Sequence, residues 1–155
     1  MRRDHDDLDR ALRAMVDPST PDGERSNMLD VFRLALACHV LAESRVIGSL
    51  VTLVRPPPSL RILLAQLGRE HASQQLAAER LAASDPSTPA WLTGALELRV
   101  LVLDHAKRED LIRHVIDDVV PRSIHRGLVA QYVTERMTAL STTSPMTLAK
   151  KLYVA

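Results

Sequence analysis

The chain has 155 residues, 46% of them hydrophobic, which suits one domain with a buried core. Its net charge is +1 and its lysines and arginines are scattered instead of forming a stripe, which argues against nucleic acid as a partner. A single cysteine, Cys38, excludes an internal disulfide, and the polar start Met1-Arg2-Arg3-Asp4 lacks the apolar run of a secretion signal, so a reducing cytoplasm is the expected compartment.

Aromatic residues make up only 3% and strand-type alternation is missing, so an all-α fold is expected. Helix breakers at Asp17-Pro18-Ser19-Thr20-Pro21 with Gly23, at Arg55-Pro56-Pro57-Pro58, at Asp85-Pro86-Ser87-Thr88-Pro89 and at Pro121 divide the chain into five helices. The first carries an apolar stripe at Leu8, Leu12 and Met15. In the second the stripe runs Leu29, Phe32, Leu36, His39, Glu43, Ile47, Leu50 and Val54, with two polar residues in core positions. Arg33, Glu43 and Arg45 interrupt its apolar stretch, which reads as a core helix and not as a membrane span.

The third helix, with Ser59 as expected N-cap, runs Leu60, Leu64, Leu67, His71, Gln75, Ala78 and Leu81. The fourth, with Thr88 as N-cap and Pro89 in the first turn, runs Trp91, Ala95, Leu98, Val102, His105, Glu109, Ile112, Ile116 and Val119. A fifth helix from about Ser123 to Leu140 presents Ile124, Leu128, Tyr132 and Met137, and an irregular tail follows. Residues 1–120 are expected to form the main unit, an up-down-up-down four-helix bundle, with residues 121–155 packed on the same domain.

An internal echo links the halves. His5 and His71, His39 and His105, and Glu43 and Glu109 are each 66 residues apart, and the Asp-Pro-Ser-Thr-Pro turn at Asp17 recurs at Asp85. Two tandem helical hairpins around a shared centre would give this pattern. Counted from the turns at ~1.5 Å per residue, His5, the His39/Glu43 pair, His71 and the His105/Glu109 pair fall at similar heights. Each His-x-x-x-Glu pair is spaced i to i+4, so imidazole and carboxylate share a helix face. Four imidazoles and two carboxylates suit iron, manganese or zinc, and metal binding offsets the cost of burying them.

The pattern Asp4-His5, His39-Val40-Leu41-Ala42-Glu43, Glu70-His71 and His105-Ala106-Lys107-Arg108-Glu109 resembles the hemerythrin-like (HHE cation-binding) family over about residues 1–120. The resemblance implies two iron ions in an oxo- or hydroxo-bridged non-haem centre, with His5 and His39 on one iron, His71 and His105 on the other, and Glu43 and Glu109 bridging. Oxygen carriers of that family place a fifth histidine where this chain has Gln75, which points away from reversible oxygen carriage. The expected function is binding of dioxygen or a reduced oxygen species. Alternatives are a catalase-like or nitric-oxide-reactive enzyme, or an iron or oxygen sensor whose fifth helix engages a partner; the sequence is also compatible with a homo-oligomer.

Other polar residues have plainer readings. His114 and His125 are expected at the surface, and Cys38 as a small buried side chain. Gln75 reads as a hydrogen-bond donor near the site, and Glu79 as a solvent-paired carboxylate. The acidic cluster Asp4, Asp6 and Asp7 reads as favourable charge at a helix N-terminus.

Overall fold

The turn residues set the helix boundaries. In the computed structural model, which describes residues 2–142, five helices follow one another: α1 (Arg2–Val16), α2 (Asp22–Val54), α3 (Pro58–Ala82), α4 (Pro89–Val119) and α5 (Arg122–Thr142). No strand occurs among the described residues. The expected tail beyond residue 142 lies outside them.

The two Asp-Pro-Ser-Thr-Pro turns close in the same way. The Asp17 carboxylate accepts from the backbone and hydroxyl of Ser19 at 2.8 and 2.6 Å, and the Asp85 carboxylate accepts from Ser87 at 2.9 and 2.8 Å. Thr88 caps α4 by accepting from the Trp91 amide at 3.2 Å, with Pro89 in the first turn. Ser59 does not cap α3. Pro57, in extended conformation, takes that position and Pro58 opens the helix, because a proline needs no partner for its missing amide proton there. Helix α2 ends at Arg55 in the left-handed conformation, with φ 49°.

Helix α1 packs against α2 and α4, α2 against α3, and α3 against α4, while α5 lies along α2. Helix α2 is long and apolar enough to cross a membrane by length and composition alone. Its apolar surface is instead shared with the neighbouring helices, and its stripe from Leu29 through Phe32 and Leu36 to Leu50 is buried.

Two apolar clusters flank a polar layer. One gathers Leu12, Met15, Phe32, Leu36, Trp91 and Leu98, and the other Leu50, Leu60, Leu64, Leu67, Ile112 and Leu128. Trp91 fills its site and donates from Nε1 to the carbonyl of Leu81 at 3.1 Å. Each fully buried aromatic or aliphatic side chain of this kind contributes about 1.5–3 kcal/mol. Along α2, α3 and α4, His39/Glu43, His71 and His105/Glu109 fall between the two clusters.

Two stripe assignments change. Val119 is exposed because α4 ends there, and the extended backbone turns Val120 inward instead. Met137 is exposed as well. The buried face of α5 runs through Leu128, Tyr132 and Ala139, and Met137 falls on the opposite side.

Candidate metal centre

All six residues singled out in the sequence are buried and meet in the polar layer. His5 comes from α1, His39 and Glu43 from α2, His71 from α3, and His105 and Glu109 from α4. The His5 and His39 Nε2 atoms are 3.2 Å apart, and those of His71 and His105 are 3.1 Å apart. Two nitrogens bound to one ion at ~2.1 Å, at roughly right or tetrahedral angles, stand about 3.0–3.4 Å apart. The histidine pairs already hold that spacing, and the 66-residue echo reappears as equivalent contacts.

Glu43 joins the halves. Its Oε2 lies 3.3 Å from His39 Nε2, 3.0 Å from His71 Nε2 and 3.7 Å from His105 Nε2. Glu109 Oε2 lies 3.3 Å from His5 Nδ1. Two groups of four residues, His5/His39/His105/Glu109 and His39/Glu43/His71/His105, each bring one ligand atom per residue within 4.8 Å of the others. Either group could hold a metal ion, and the two share His39 and His105.

The electrostatics suit a bound cation. Burial opposes charge on Glu43, but contacts from His105, His39 and His71 hold its carboxyl well below the ordinary range. Its Oε2, though buried, makes no hydrogen bond, and neither does His71 Nδ1. Burial would also keep His39 neutral, yet Asp4, Glu43 and Glu109 raise its pKa to about 9, so it carries a proton where a cation could sit. Burial and the neighbouring His39 and His105 push His5 down to about 3. Burial lowers His71, and burial together with Glu43 lifts Glu109 to about 7.

An outer ring, not foreseen in the sequence, orients the histidines. His39 Nδ1 lies 2.7 Å from the Tyr132 hydroxyl of α5, and that hydroxyl donates to the Asp4 carboxylate, which also meets Arg136 at 2.9 Å. His105 Nδ1 lies 3.1 Å from Glu70, whose other oxygen faces Arg108 at 2.5 Å and accepts from Gln66 at 3.2 Å. Asp4 and Glu70 precede His5 and His71, so they are partners in the same 66-residue echo. Asp4 is therefore a buried part of the site and not simply a helix-terminal charge; Asp6 and Asp7 are exposed. Burial would raise the Asp4 carboxyl, but His39, Tyr132 and Arg136 hold it at about 2.

Among the described residues, no hydrogen bond or ion pair joins Gln75 or Glu79 to the six; both are half-buried. The neighbouring Gln74 is the buried amide, donating to the Leu101 carbonyl at 3.2 Å. His114 is exposed as expected, whereas His125 is half-buried and faces Asp117 at 3.5 Å. Cys38 is fully buried. A cavity of about 270 Å³, walled mainly by aliphatic side chains of α2, α3, α4 and α5, reaches Glu43, Glu109 and Tyr132.

No protein-family model matches this chain, and comparison with curated proteins and with solved structures finds no match.

Proposed function

We propose that α1–α4 form an up-down-up-down four-helix bundle of the hemerythrin-like type, with residues 1–120 as its metal-binding unit and the remainder packed on it. His5, His39, Glu43, His71, His105 and Glu109 hold two iron ions, and the centre binds dioxygen or a reduced oxygen species. The observation that carries this reading is the two buried histidine pairs, His5/His39 and His71/His105, with Nε2 atoms 3.2 and 3.1 Å apart and Glu43 in contact with both. The donor set alone suits iron, manganese or zinc; the choice of iron rests on the resemblance in the His-x-x-x-Glu pattern.

Iron bound there supplies redox chemistry toward dioxygen or peroxide. The chain's own residues prepare the site. Tyr132, which donates its O–H to Asp4, accepts a hydrogen bond from His39 Nδ1, and the Glu70 carboxylate accepts one from His105 Nδ1; in the tautomer these contacts favour, both histidines turn Nε2 inward as the ligand atom. The two apolar clusters wall the site above and below with aliphatic side chains. Glu43, central to the histidines of both halves, would be the carboxylate that both halves of the centre share, and Glu109 would be its counterpart beside His5.

A second reading, peroxide decomposition or reaction with nitric oxide at the same centre, is favoured by position 75. A half-buried glutamine leaves that side of the site without a fifth imidazole. The two readings separate when the reduced, iron-loaded protein meets oxygen and then peroxide while its absorption is followed. A reversible spectral change with oxygen supports binding, and sustained oxygen release from peroxide, lost in His71→Ala, supports turnover. Spectra that respond to neither would overturn both.

A further inference from the structure

The aliphatic cavity is larger than an oxygen-binding role requires. Its volume of about 270 Å³ is that of roughly nine water molecules, or a chain of roughly eight to ten methylenes, and far exceeds a diatomic gas. The cavity has direction. Glu43 and Glu109 at one end are almost fully buried, whereas along α5, one and two turns back from Tyr132, Val129 is 49% exposed and His125 half-buried. In the metal-free chain the carboxylates at the inner end disfavour an anion there, so an occupant's negative group stays near the mouth.

The mouth offers a place for it. His125 lines both the apolar cavity and a neighbouring polar cavity, whose other walls include Arg122, Arg126 and Asp117. Arg122 and Arg126 are one helical turn apart on α5, and among the described residues neither forms an ion pair. Asp117 faces His125 at 3.5 Å, which leaves two arginines in excess. An apolar chamber thus adjoins a cationic one.

We infer that these two neighbouring cavities, which meet at His125, bind a medium-chain amphiphile with an anionic head, its chain between α2, α3, α4 and α5 and its head at Arg122 and Arg126. Binding itself needs no metal. The further consequence, that the chain end lies beside Glu43 and Glu109 as a substrate or effector of the centre, rests on the metal-binding reading above.

The test is calorimetric titration of the full chain, apo and iron-loaded, with decanoate, decyl phosphate, decanol and acetate. Decanoate or decyl phosphate should bind at least tenfold more tightly than decanol, and acetate should not bind measurably. The stronger of the two anions identifies the head group. Arg122→Glu/Arg126→Glu should weaken the anions at least tenfold and leave decanol unchanged, while Val129→Trp, which fills the chamber from its exposed rim, should abolish binding of all chains. Circular dichroism and thermal melting verify that each variant is folded. Failure of every long-chain ligand to bind, or binding unchanged in both variants, would overturn the proposal. Decanoate binding by a protein that retains no iron would uphold the cavity and defeat the metal reading; two irons without amphiphile binding would do the reverse.

Discussion

The His39 imidazole and the Tyr132 hydroxyl, 93 residues apart in sequence, stand 2.7 Å from each other, and the tyrosine donates its own hydrogen bond to Asp4. This contact ties α5 to the polar layer. On the other side of the site Glu70 reaches His105 directly, its side chain one methylene longer than that of Asp4. Tyr132 spans the difference.

Removing that hydroxyl should be felt twice. Tyr132→Phe removes the acceptor of a buried His39 nitrogen and one of the hydrogen bonds to Asp4, so stability should fall by about 1–3 kcal/mol. Metal affinity should fall ~10–100-fold, as for other outer partners of ligating histidines. Chemical denaturation and competitive chelator titration check the two effects, and hydrogen exchange in α5 should rise.

Glu70→Gln provides the counterpart in the second half. The amide keeps the shape and can still accept from His105 Nδ1, but it loses the charge that faces Arg108. A weakening of metal binding of about tenfold is expected, with the fold retained. A loss as large as that of His105→Ala would mean that Glu70 is itself a ligand.

Away from the centre, Asp9 joins α1 to α4. Its carboxylate accepts from Arg99 at 2.7 Å and from Arg13 at 2.7 Å. Burial alone would raise its pKa, but the two arginines hold it below the ordinary value of about 3.8. A lowered folded pKa means that the unfolded chain takes up the proton first, so stability from Asp9 is full above pH ~3.8 and disappears as pH falls through the folded value. Asp9→Asn should cost about 1 kcal/mol at neutral pH, and that difference should shrink in acid denaturation profiles below pH ~4.

Arg55 ends α2 with φ 49°, a conformation that costs a side-chain-bearing residue about 1 kcal/mol and glycine little. Arg55→Gly should therefore raise stability by up to about 1 kcal/mol, measured by thermal melting. A decrease would show that the arginine side chain contributes more than its backbone costs.

Much of this organisation was legible beforehand, because it rests on local rules. The prolines at positions 58 and 89 and the Asp17 and Asp85 turns mark helix boundaries by their own stereochemistry. The three-and-four spacing places His39, Glu43, His105 and Glu109 on buried faces. The outer ring was harder to read. Tyr132 stands on an apolar stripe like any core aromatic, and its contact with Asp4 spans 128 residues and depends on how α5 docks. Asp4 looks like an ordinary helix-terminal charge until that docking is known. Glu70 had a signal, since it repeats Asp4 in the 66-residue echo, but a repeated acid beside a histidine does not reveal which nitrogen it meets. Met137 was misplaced because α5 carries apolar residues on two sides, and only packing selects between them.

The central claim is that the six buried residues form one two-metal site. Metal analysis of the full chain after anaerobic loading with ferrous iron and removal of excess tests it most directly, with His39→Ala measured beside it. Two irons per chain are expected, falling well below two in His39→Ala, which removes the Nε2 paired with that of His5 and beside Glu43. A folded protein that retains no iron, or a variant that still retains two, would contradict the account.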